Sequence, residues 1–376
     1  MKKIIVLGSG MVGSAIAIEL SKKFNVTVAD LNLQNLERAK HKCTLLNILQ
    51  IDVTNKKLLS ETLSGFDLVV CAVPGFLGFR TLQTIIEAKK NVVDISFFPE
   101  NALELNELAK QHQVTAIVDC GVAPGLDNII LGYYNEKLFI TDFECLVGGL
   151  PQVKKWPFNY KAPFSPIDVI EEYTRPARYV ESGKLITKAA LTDCTLHEFE
   201  HVGQLESFNS DGLRSLIFTL PHILNMKEKT LRYPGHSEYI RVLKESGFFN
   251  EEKILVNGNQ ISPLQFTSKI LFNEWKLGED EHELTVMRVT VKGKDKSGVQ
   301  QNIVYEIFDN FDDKTKTSSM ARTTGYTACA AVNIFMDGLF TDKGVFPPEL
   351  IGKHENCFHF VLHYLREKGI QIEQKN

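Results

Sequence analysis

Short apolar runs alternate with longer amphipathic stretches through residues 1–124. Apolar runs bounded by turn residues are typical of buried strands, whereas apolar positions three and four apart are typical of helices. The pattern predicts strands at 4–7, 26–29, 45–52, 68–73, 91–96 and 115–120, with helices between them at 11–23, 33–40, 56–63, 79–89 and 101–111. Apolar strands joined by crossover helices indicate a parallel sheet covered on both faces. We therefore expect an α/β fold with a Rossmann-type doubly wound sheet, whose ligands lie at the carboxyl ends of the strands.

The pattern changes beyond residue 138, where apolar and polar positions alternate along three further segments. These segments are 139–147, 284–291 and 303–308, and the polar, glycine-bounded stretch 293–298 joins the last two. Such a connection predicts an antiparallel hairpin. Helices are expected between the strands, at 166–173 and near 238–246.

The two patterns predict two domains. Residues 1–127 form the dinucleotide-binding domain, and residues 128–317 form an α+β domain for substrate binding and dimerisation, so we expect a homodimer. Ser318 and Ser319 resemble the N-cap of a helix that reaches about residue 337, and another helix follows at 356–367. The first of these helices is rich in small residues, which permit close packing. We therefore expect the C-terminal helices, 318–376, to complete the first domain.

The turn Gly8-Ser9-Gly10-Met11-Val12-Gly13 stands between the first predicted strand and the first helix. Gly8 permits the tight turn, Gly10 lets a diphosphate approach the backbone, and Gly13 lets the helix pack closely on the strand. The unpaired N–H groups and the positive dipole end of the helix then face the anion. This arrangement predicts a dinucleotide site; the alternative is an ordinary glycine turn of an α/β protein.

Asp30 ends the second predicted strand, 22 residues after Gly8. A carboxylate there accepts hydrogen bonds from the adenine ribose hydroxyls of NAD and repels the 2′-phosphate of NADP. No Arg or Lys occurs from Leu31 to Asn35 to bind that phosphate. The sequence therefore predicts NAD as cofactor in preference to NADP.

Other predicted strands also end in residues that suit a dinucleotide. Asp52 and Val53 are expected near the adenine, and Ala72, Val73 and Pro74 beneath the nicotinamide ribose. The sixth strand ends in Asp119, Cys120 and Gly121 and runs into a segment rich in Pro and Gly, which is typical of an exit from the domain.

The composition excludes several classes of partner. Hydrophobic residues make up 44% and charged residues 23% of the 376-residue chain, as in ordinary globular proteins. The net charge of −4 argues against nucleic acid and against a polybasic membrane contact. No apolar run approaches the roughly 18 residues of a membrane span. The seven scattered cysteines contain no CxxC pair, so we expect free thiols in a reducing cytoplasm and no metal site.

Basic side chains are candidates for binding a carboxylated small molecule, because they form charge-assisted pairs with it. Those set among aromatic, Pro or Gly residues are Lys161, Arg175, Arg178, Arg232, Arg288 and Arg322. Arg232 and His236 flank a Pro-Gly turn that would hold both on one rim. The alternative for each arginine is a salt bridge or an exposed charge, and this is the favoured interpretation for Arg288, which alternates with apolar residues on a strand.

Asp119 and Cys120 are placed for acid–base chemistry at the end of the sixth strand. Asp119 is equally suited to cap the following turn. Cys120 is also the kind of small hydrophobic residue that packs in a core.

His197-Glu198-Phe199-Glu200-His201 satisfies the HExxH pattern of zinc proteases. That pattern requires a helix, so that both imidazoles fall on one face. The surrounding residues favour a strand, and Gly203 follows immediately, so we interpret the segment as solvated strand residues.

Several separated segments occur in an order that resembles the saccharopine dehydrogenase superfamily over nearly the whole chain. Beyond the glycine turn, they are 119–125, Tyr160-Lys161, 205–208, 230–236 and 320–323. Segments 147–151, 322–324 and 344–349 are similar to the NAD-dependent L-lysine 6-dehydrogenases. Tyr160-Lys161 with Phe164-Ser165-Pro166, and Leu231 to Gly235, are similar to the saccharopine reductases. Residues 96–100 follow neither branch, and His236 stands where the reductases usually carry Phe.

The resemblance implies hydride exchange between nicotinamide C4 and the carbon next to an amine of an amino-acid substrate. It implies a base that removes the ammonium proton before the hydride leaves, and the candidates are Asp119, Cys120 and His236. It also implies that Lys161, Arg232 and Arg322 hold substrate carboxylates. The alternatives are an L-lysine 6-dehydrogenase and a regulatory protein that binds the nucleotide without turnover.

Overall fold

The computed structural model describes residues 1–162, 166–278 and 281–375. In chain order its strands are β1 (Lys3–Leu7), β2 (Asn25–Asp30), β3 (Asn47–Gln50), β4 (Leu68–Cys71), β5 (Asn91–Asp94), β6 (Thr115–Ile117), β7 (Phe139–Pro151), β8 (Ala177–Glu181), β9 (Lys184–Lys188), β10 (Thr195–Phe199), β11 (Gly203–Asn209), β12 (Asn225–Arg232), β13 (Ile254–Val256), β14 (Asn259–Ile261), β15 (Glu283–Lys294), β16 (Gln300–Asn310), β17 (Gly344–Phe346) and β18 (Gln371–Lys375).

The α-helices are α1 (Met11–Ser21), α2 (Leu33–Lys42), α3 (Lys56–Leu63), α4 (Gly75–Glu87), α5 (Asn106–Gln111), α6 (Leu126–Asn135), α7 (Pro166–Thr174), α8 (Leu216–Thr219), α9 (His236–Glu245), α10 (Pro263–Trp275), α11 (Ser319–Met336), α12 (Pro348–Gly352) and α13 (Glu355–Glu367). A 3-10 turn covers Ala102–Leu105. Phe164 and Ser165 lie outside the described residues.

The first sheet is parallel and doubly wound, which confirms the predicted fold class. Its strand order is β17-β6-β5-β4-β1-β2-β3. The two apolar clusters on either face explain why β1 forms a strand: Ile4 and Val6 pack into one cluster, and Ile5 and Leu7 into the other. The six predicted strands are all present, although the third to the sixth are shorter than expected. The pattern missed β17, which pairs with β6 at the edge of the sheet.

The second sheet is mixed and contains the predicted hairpin, β15 and β16. Its main path is β10-β11-β12-β7-β15-β16-β18, and β8 pairs with β9 and with β12. The long central strand β7 runs parallel to β12 and antiparallel to β15. This sheet presents one face to the carboxyl edge of the first sheet, so the two sheets enclose a cleft.

The C-terminal helices pack against the first sheet. Gly325 of α11 lies so close to α1 that a Cβ atom on it would be 3.1 Å from the Ile16 side chain. A Cβ atom at Gly132 of α6 would overlap the backbone of Glu349, and one at Gly352 would overlap the backbone of Ile129. The chain therefore returns to its N-terminal half after β16. The exact domain division stays a prediction.

Candidate active site

A cleft of about 1440 Å³ lies between the carboxyl edge of the first sheet and one face of the second. This volume exceeds the roughly 300–1,000 Å³ of an ordinary small-ligand pocket. The first sheet lines one end of the cleft through its glycine turn and strand ends. The second sheet lines the other end through β7 and β12. The cleft therefore has room for two ligands.

The predicted glycine turn is at the first end of the cleft. Gly8 has φ +103°, and a Cβ atom there would overlap the carbonyl of Ala72. A Cβ atom at Gly13 would overlap the carbonyl of Gly8. A Cβ atom at Gly10 would have no atom within 4 Å, so this glycine faces open space. All six turn residues, including Met11 and Val12, line the cleft. The turn therefore has the close packing and the open approach that a diphosphate requires.

Asp30 lies beside this turn at the end of β2. Its carboxylate accepts hydrogen bonds from the backbone N–H of Ser9 and of Asn32, each at 2.7 Å. It also lines the cleft, so an exposed part of the carboxylate can meet a ribose. Arg38 of α2 also lines the cleft; it lies three residues beyond the segment Leu31–Asn35, which contains no Arg or Lys.

The remaining residues predicted for the cofactor all line the cleft. They are Asp52, Val53, Ala72, Val73, Pro74 and Gly121. Asp52 accepts hydrogen bonds from the hydroxyl and the backbone N–H of Thr54, which lower the pKa of its carboxyl. The fold thus brings the whole predicted cofactor set to one surface. Their contacts with the cofactor stay predictions.

Asp119 lines the cleft, but its carboxylate is engaged by Arg214. Oδ1 of Asp119 accepts hydrogen bonds from Nε at 3.0 Å and from Nη2 at 2.8 Å of this arginine. Both side chains are buried.

Cys120 is also buried and does not line the cleft; burial raises the pKa of its thiol to about 12. Sequence reasoning missed Arg214, which lies 95 positions from Asp119.

Arg232 lines the other end of the cleft and is 2% exposed. Its guanidinium donates to the carboxylate of Glu172 at 2.6 Å. It also donates to the hydroxyls of Tyr173 and Tyr160, at 3.2 Å and 3.3 Å. Arg232 is therefore held rigidly, and Glu172 presents a paired carboxylate to the cleft.

The other predicted site residues lie outside the cleft wall. His236 is buried, and its Nε2 and Nδ1 atoms are hydrogen-bonded to the Tyr173 hydroxyl and the Phe158 carbonyl. Burial and the nearby charge of Arg232 lower the pKa of His236 to about 3. Lys161 donates to the Glu274 carbonyl at 2.6 Å.

Arg322 is buried at the start of α11. It pairs with Asp309 at 2.9 Å and with Asp312 at 3.1 Å. It too lies outside the cleft wall. The structure thus places Arg322 in a buried ion network, and its predicted contact with substrate stays a prediction.

The HExxH segment lies on a strand and a turn, not on a helix. His197 is in β10, where its ring nitrogen lies 2.9 Å from the Ser207 hydroxyl. His201 follows in the turn, with its ring 4.7 Å from that of Phe308. The two imidazoles therefore lack the helical spacing that the zinc-protease pattern needs.

Sequence reasoning missed six cleft-wall acids: Glu19, Glu281, Glu171, Glu172, Asp211 and Glu228. A period-two pattern could have found the last of these, because Glu228, Thr230 and Arg232 alternate along β12 and all three line the cleft. The remaining acids come from separate segments of the chain, which meet only through the tertiary fold.

Models of two domains match almost the entire chain. The saccharopine dehydrogenase NADP binding domain matches residues 4–117, and the saccharopine dehydrogenase C-terminal domain matches residues 121–370. The chain belongs to the saccharopine dehydrogenase family. This confirms the resemblance found in the sequence and a nicotinamide dinucleotide as the cofactor class. It does not support the predicted preference for NAD over NADP.

Relatives in the saccharopine dehydrogenase family are distant in sequence. The mitochondrial alpha-aminoadipic semialdehyde synthase of Mus musculus is 23% identical over 428 residues, covering 92% of this chain and 45% of the relative. The chain thus spans about half the length of that protein. The saccharopine dehydrogenase [NADP(+), L-glutamate-forming] of Pyricularia oryzae is 22% identical over 450 residues, covering 100% of this chain and 99% of the relative.

A solved structure confirms the family fold. The apo saccharopine dehydrogenase (L-Glu forming) of Saccharomyces cerevisiae superposes with a TM-score of 0.80 over 100% of both chains, at 19% identity. No helix in the described ranges is long and apolar enough to cross a membrane.

The buried Asp119–Arg214 pair predicts a large stability effect. We expect Arg214→Met to lower the free energy of unfolding by about 3–5 kcal/mol, because it leaves the buried Asp119 carboxylate without its partner. Urea denaturation measures the change. Lys227→Met, which breaks the half-exposed pair with Glu144, is the control and should cost less than about 1 kcal/mol. Equal losses of unfolding free energy in the two variants would contradict the interpretation that Asp119 and Arg214 form a buried ion pair.

Proposed function

We propose that this chain is a nicotinamide-dinucleotide-dependent dehydrogenase acting on the C–N carbon of a lysine-derived amine or imine. The observation that carries the proposal is the single cleft that joins the glycine turn of the first sheet to the charged face of the second. The bound nicotinamide would supply the hydride acceptor or donor at C4. The names of the matched relatives support the class of substrate.

The chain's own residues would position the reactants. The strand ends at Ala72–Pro74 and the loop at Gly121–Pro124 form the wall where the first sheet meets the second. Glu228, Thr230 and Arg232 of β12 lie on the facing wall. A reacting carbon must approach C4 to about 3–3.5 Å, and a narrow cleft between two sheets can hold it there and exclude water.

The pairing of charges favours a substrate with few carboxylates. On the substrate side, Arg232 is paired with Glu172, and Arg175 is paired with Glu171. Saccharopine, which joins lysine and glutamate, carries more carboxylates than lysine and would need more available cations. This observation favours the second candidate, an L-lysine 6-dehydrogenase. Lys276 and Lys314 line the outer part of the cleft and could hold one carboxylate.

A substrate panel tests the proposed function. NAD or NADP is mixed with L-lysine, saccharopine or L-alanine, and reduced nicotinamide is followed by its absorbance. We expect turnover with L-lysine or saccharopine and none with L-alanine. Tight nucleotide binding without turnover on any substrate would contradict the proposal and favour the regulatory alternative.

We also propose that the cofactor is NAD, because Asp30 presents a carboxylate where NADP carries its 2′-phosphate. Asp30→Asn keeps the size of the side chain and removes its charge. We expect the KM for NAD to rise about 10–100-fold, because hydrogen bonds from the ribose to a charged group are lost. The kcat/KM for NAD divided by that for NADP should fall. Glu37→Ala, an exposed change on α2, is the control. An unchanged ratio would show that Asp30 does not set the preference.

We propose a homodimer in a reducing compartment. All seven cysteines are free. Eight apolar side chains within residues 239–270 are exposed: Tyr239, Val242, Phe248, Ile254, Leu255, Val256, Phe266 and Ile270. Three of them belong to the isolated hairpin β13–β14, and a two-stranded hairpin alone is marginal in water. A second copy that covers this apolar surface would stabilise it.

Leu255→Asp tests this surface. The added charge should shift the protein from dimer to monomer in light scattering, because Leu255 is 68% exposed on the hairpin. Val299→Asp places the same charge on an exposed apolar residue between β15 and β16 and should leave the dimer intact. A wild-type monomer, or a dimer in both variants, would contradict this interface.

A further inference from the structure

Glu228 occupies the floor of the cleft, at the boundary with the protein core. Its side chain points to the same face of β12 as Thr230 and Arg232, since all three line the cleft and the residues between them do not. Met226, the preceding residue on that face, belongs to the core. Glu228 itself is 4% exposed.

Two further acidic groups lie behind Glu228. Cys145 is its partner in the register of β7 and β12, and Asp127 belongs to the first turn of α6. One carboxylate oxygen of Asp127, one of Glu228 and the thiol sulfur of Cys145 all lie within 4.8 Å of one another. Gly212, which also lines the cleft, packs directly against Glu228, because a Cβ atom there would overlap the Glu228 carboxylate.

Among the described residues, every other carboxylate that lines the substrate side of the cleft has a basic partner. The pairs are Asp119–Arg214, Glu171–Arg175, Glu172–Arg232, Asp211–Arg178 and Glu281–Lys155. In the described part of the chain, Glu228 has no salt bridge, and its Oε2 atom has no hydrogen-bond partner. Asp127 Oδ2 also has no hydrogen-bond partner among the described residues other than the neighbouring thiol of Cys145. A buried carboxylate without a partner is unfavourable, so it must either bind a proton or pair with a cation.

We propose that Glu228 is the catalytic residue that accepts the proton of the substrate ammonium. This inference rests on the proposed function and names the base within the same site. The Glu228 carboxylate takes one N–H proton and leaves a neutral amine with a lone pair. That lone pair forms the C=N bond as the C–H electron pair leaves as hydride for the oxidised dinucleotide. In the reverse direction, the Glu228 carboxyl returns the proton to the nitrogen.

The position of Glu228 suits this role better than those of Asp119 and His236. Asp119 is held by two hydrogen bonds from Arg214, and both ring nitrogens of His236 are engaged outside the cleft wall. Glu228 also lies beside Asp127, in the first turn of α6. The loop at Gly121–Pro124, which leads into α6, lines the cleft where we expect the nicotinamide.

The electrostatic environment of Glu228 permits proton exchange. Burial, reinforced by nearby carboxylates, raises the pKa of Glu228 well above its ordinary value. The groups that face it are Asp127, Cys145, Asp211, Glu172 and Arg214. Without substrate this environment favours the protonated, neutral carboxyl. A substrate ammonium has the opposite charge and would lower this pKa, so that Glu228 becomes the proton acceptor when the substrate binds.

The test compares Glu228→Gln with the wild-type protein, using NAD and whichever of L-lysine and saccharopine the wild type oxidises. We expect kcat/KM for the amine to fall about 10²–10⁴-fold, the usual contribution of a general base. The affinity for NADH, followed by fluorescence, should stay unchanged. The loss should shrink by about tenfold per pH unit as the pH rises toward about 10, because the amine then arrives already deprotonated.

Glu144→Gln is the matched control. It removes the same charge from β7, at the position beside Cys145, and its carboxylate pairs with Lys227 outside the cleft. We expect wild-type kinetics. If Glu228→Gln does not fold, Glu228→Asp replaces it: the shortened acid should lower kcat and leave the KM for NAD unchanged.

The failures of the two proposals are distinguishable. A wild-type protein that reduces neither NAD nor NADP with either amine overturns the proposed function and the base assignment with it. An active wild type beside an equally active Glu228→Gln overturns the base alone. A loss in Glu228→Gln that stays constant with pH, or activity that EDTA abolishes and Zn²⁺ restores, also overturns it, since these outcomes indicate a structural role or a metal ligand.

Discussion

The close approach of backbone to backbone at two glycine turns determines where the cleft lies. In the first turn, Gly13 packs on the carbonyl of Gly8, which itself packs on the end of β4. In the second, Gly125 has φ +145° and lies against the backbone of Gly121. Both turns are at the carboxyl edge of the first sheet. The first opens the amino end of α1 toward the cleft, and the second directs the chain into α6 and the second sheet.

Electrostatic pairing then shapes the substrate end of this cleft. Many of the charged side chains there are buried, so they require partners of opposite sign. The arginines on this side have carboxylate partners, and those carboxylates are correspondingly satisfied. Among the described acids that line the substrate end of the cleft, Glu228 is the exception, with Asp127 and Cys145 behind it. The cleft therefore carries one acid whose missing partner a cationic substrate can supply.

The dinucleotide end was predictable because its signal is local. Gly8, Gly10, Gly13 and Asp30 lie within one strand–helix–strand unit, where spacing along the chain fixes spacing in the fold. The first sheet was predicted for the same reason, since buried parallel strands are continuous apolar runs. The strand β17 escaped detection because it is only three residues long and joins the sheet from the far end of the chain.

The substrate end was less predictable because its contacts connect distant parts of the chain. Arg214 reaches Asp119 across 95 positions and Arg232 reaches Glu172 across 60, and no local pattern encodes such pairs. Lys161, His236 and Arg322 have suitable chemistry and suitable neighbours in sequence, yet their side chains bond to groups outside the cleft wall. Residue type alone does not reveal which way a buried side chain points.

A crystal structure of the protein with NADH and L-lysine tests the account most directly, because it shows both ligands in the cleft at once. We expect the diphosphate at the N–H groups of the glycine turn and the nicotinamide against Gly121. The ε-nitrogen of lysine should lie within about 3 Å of the Glu228 carboxylate. A dinucleotide bound elsewhere, or a lysine whose ε-nitrogen faces away from Glu228, would contradict it.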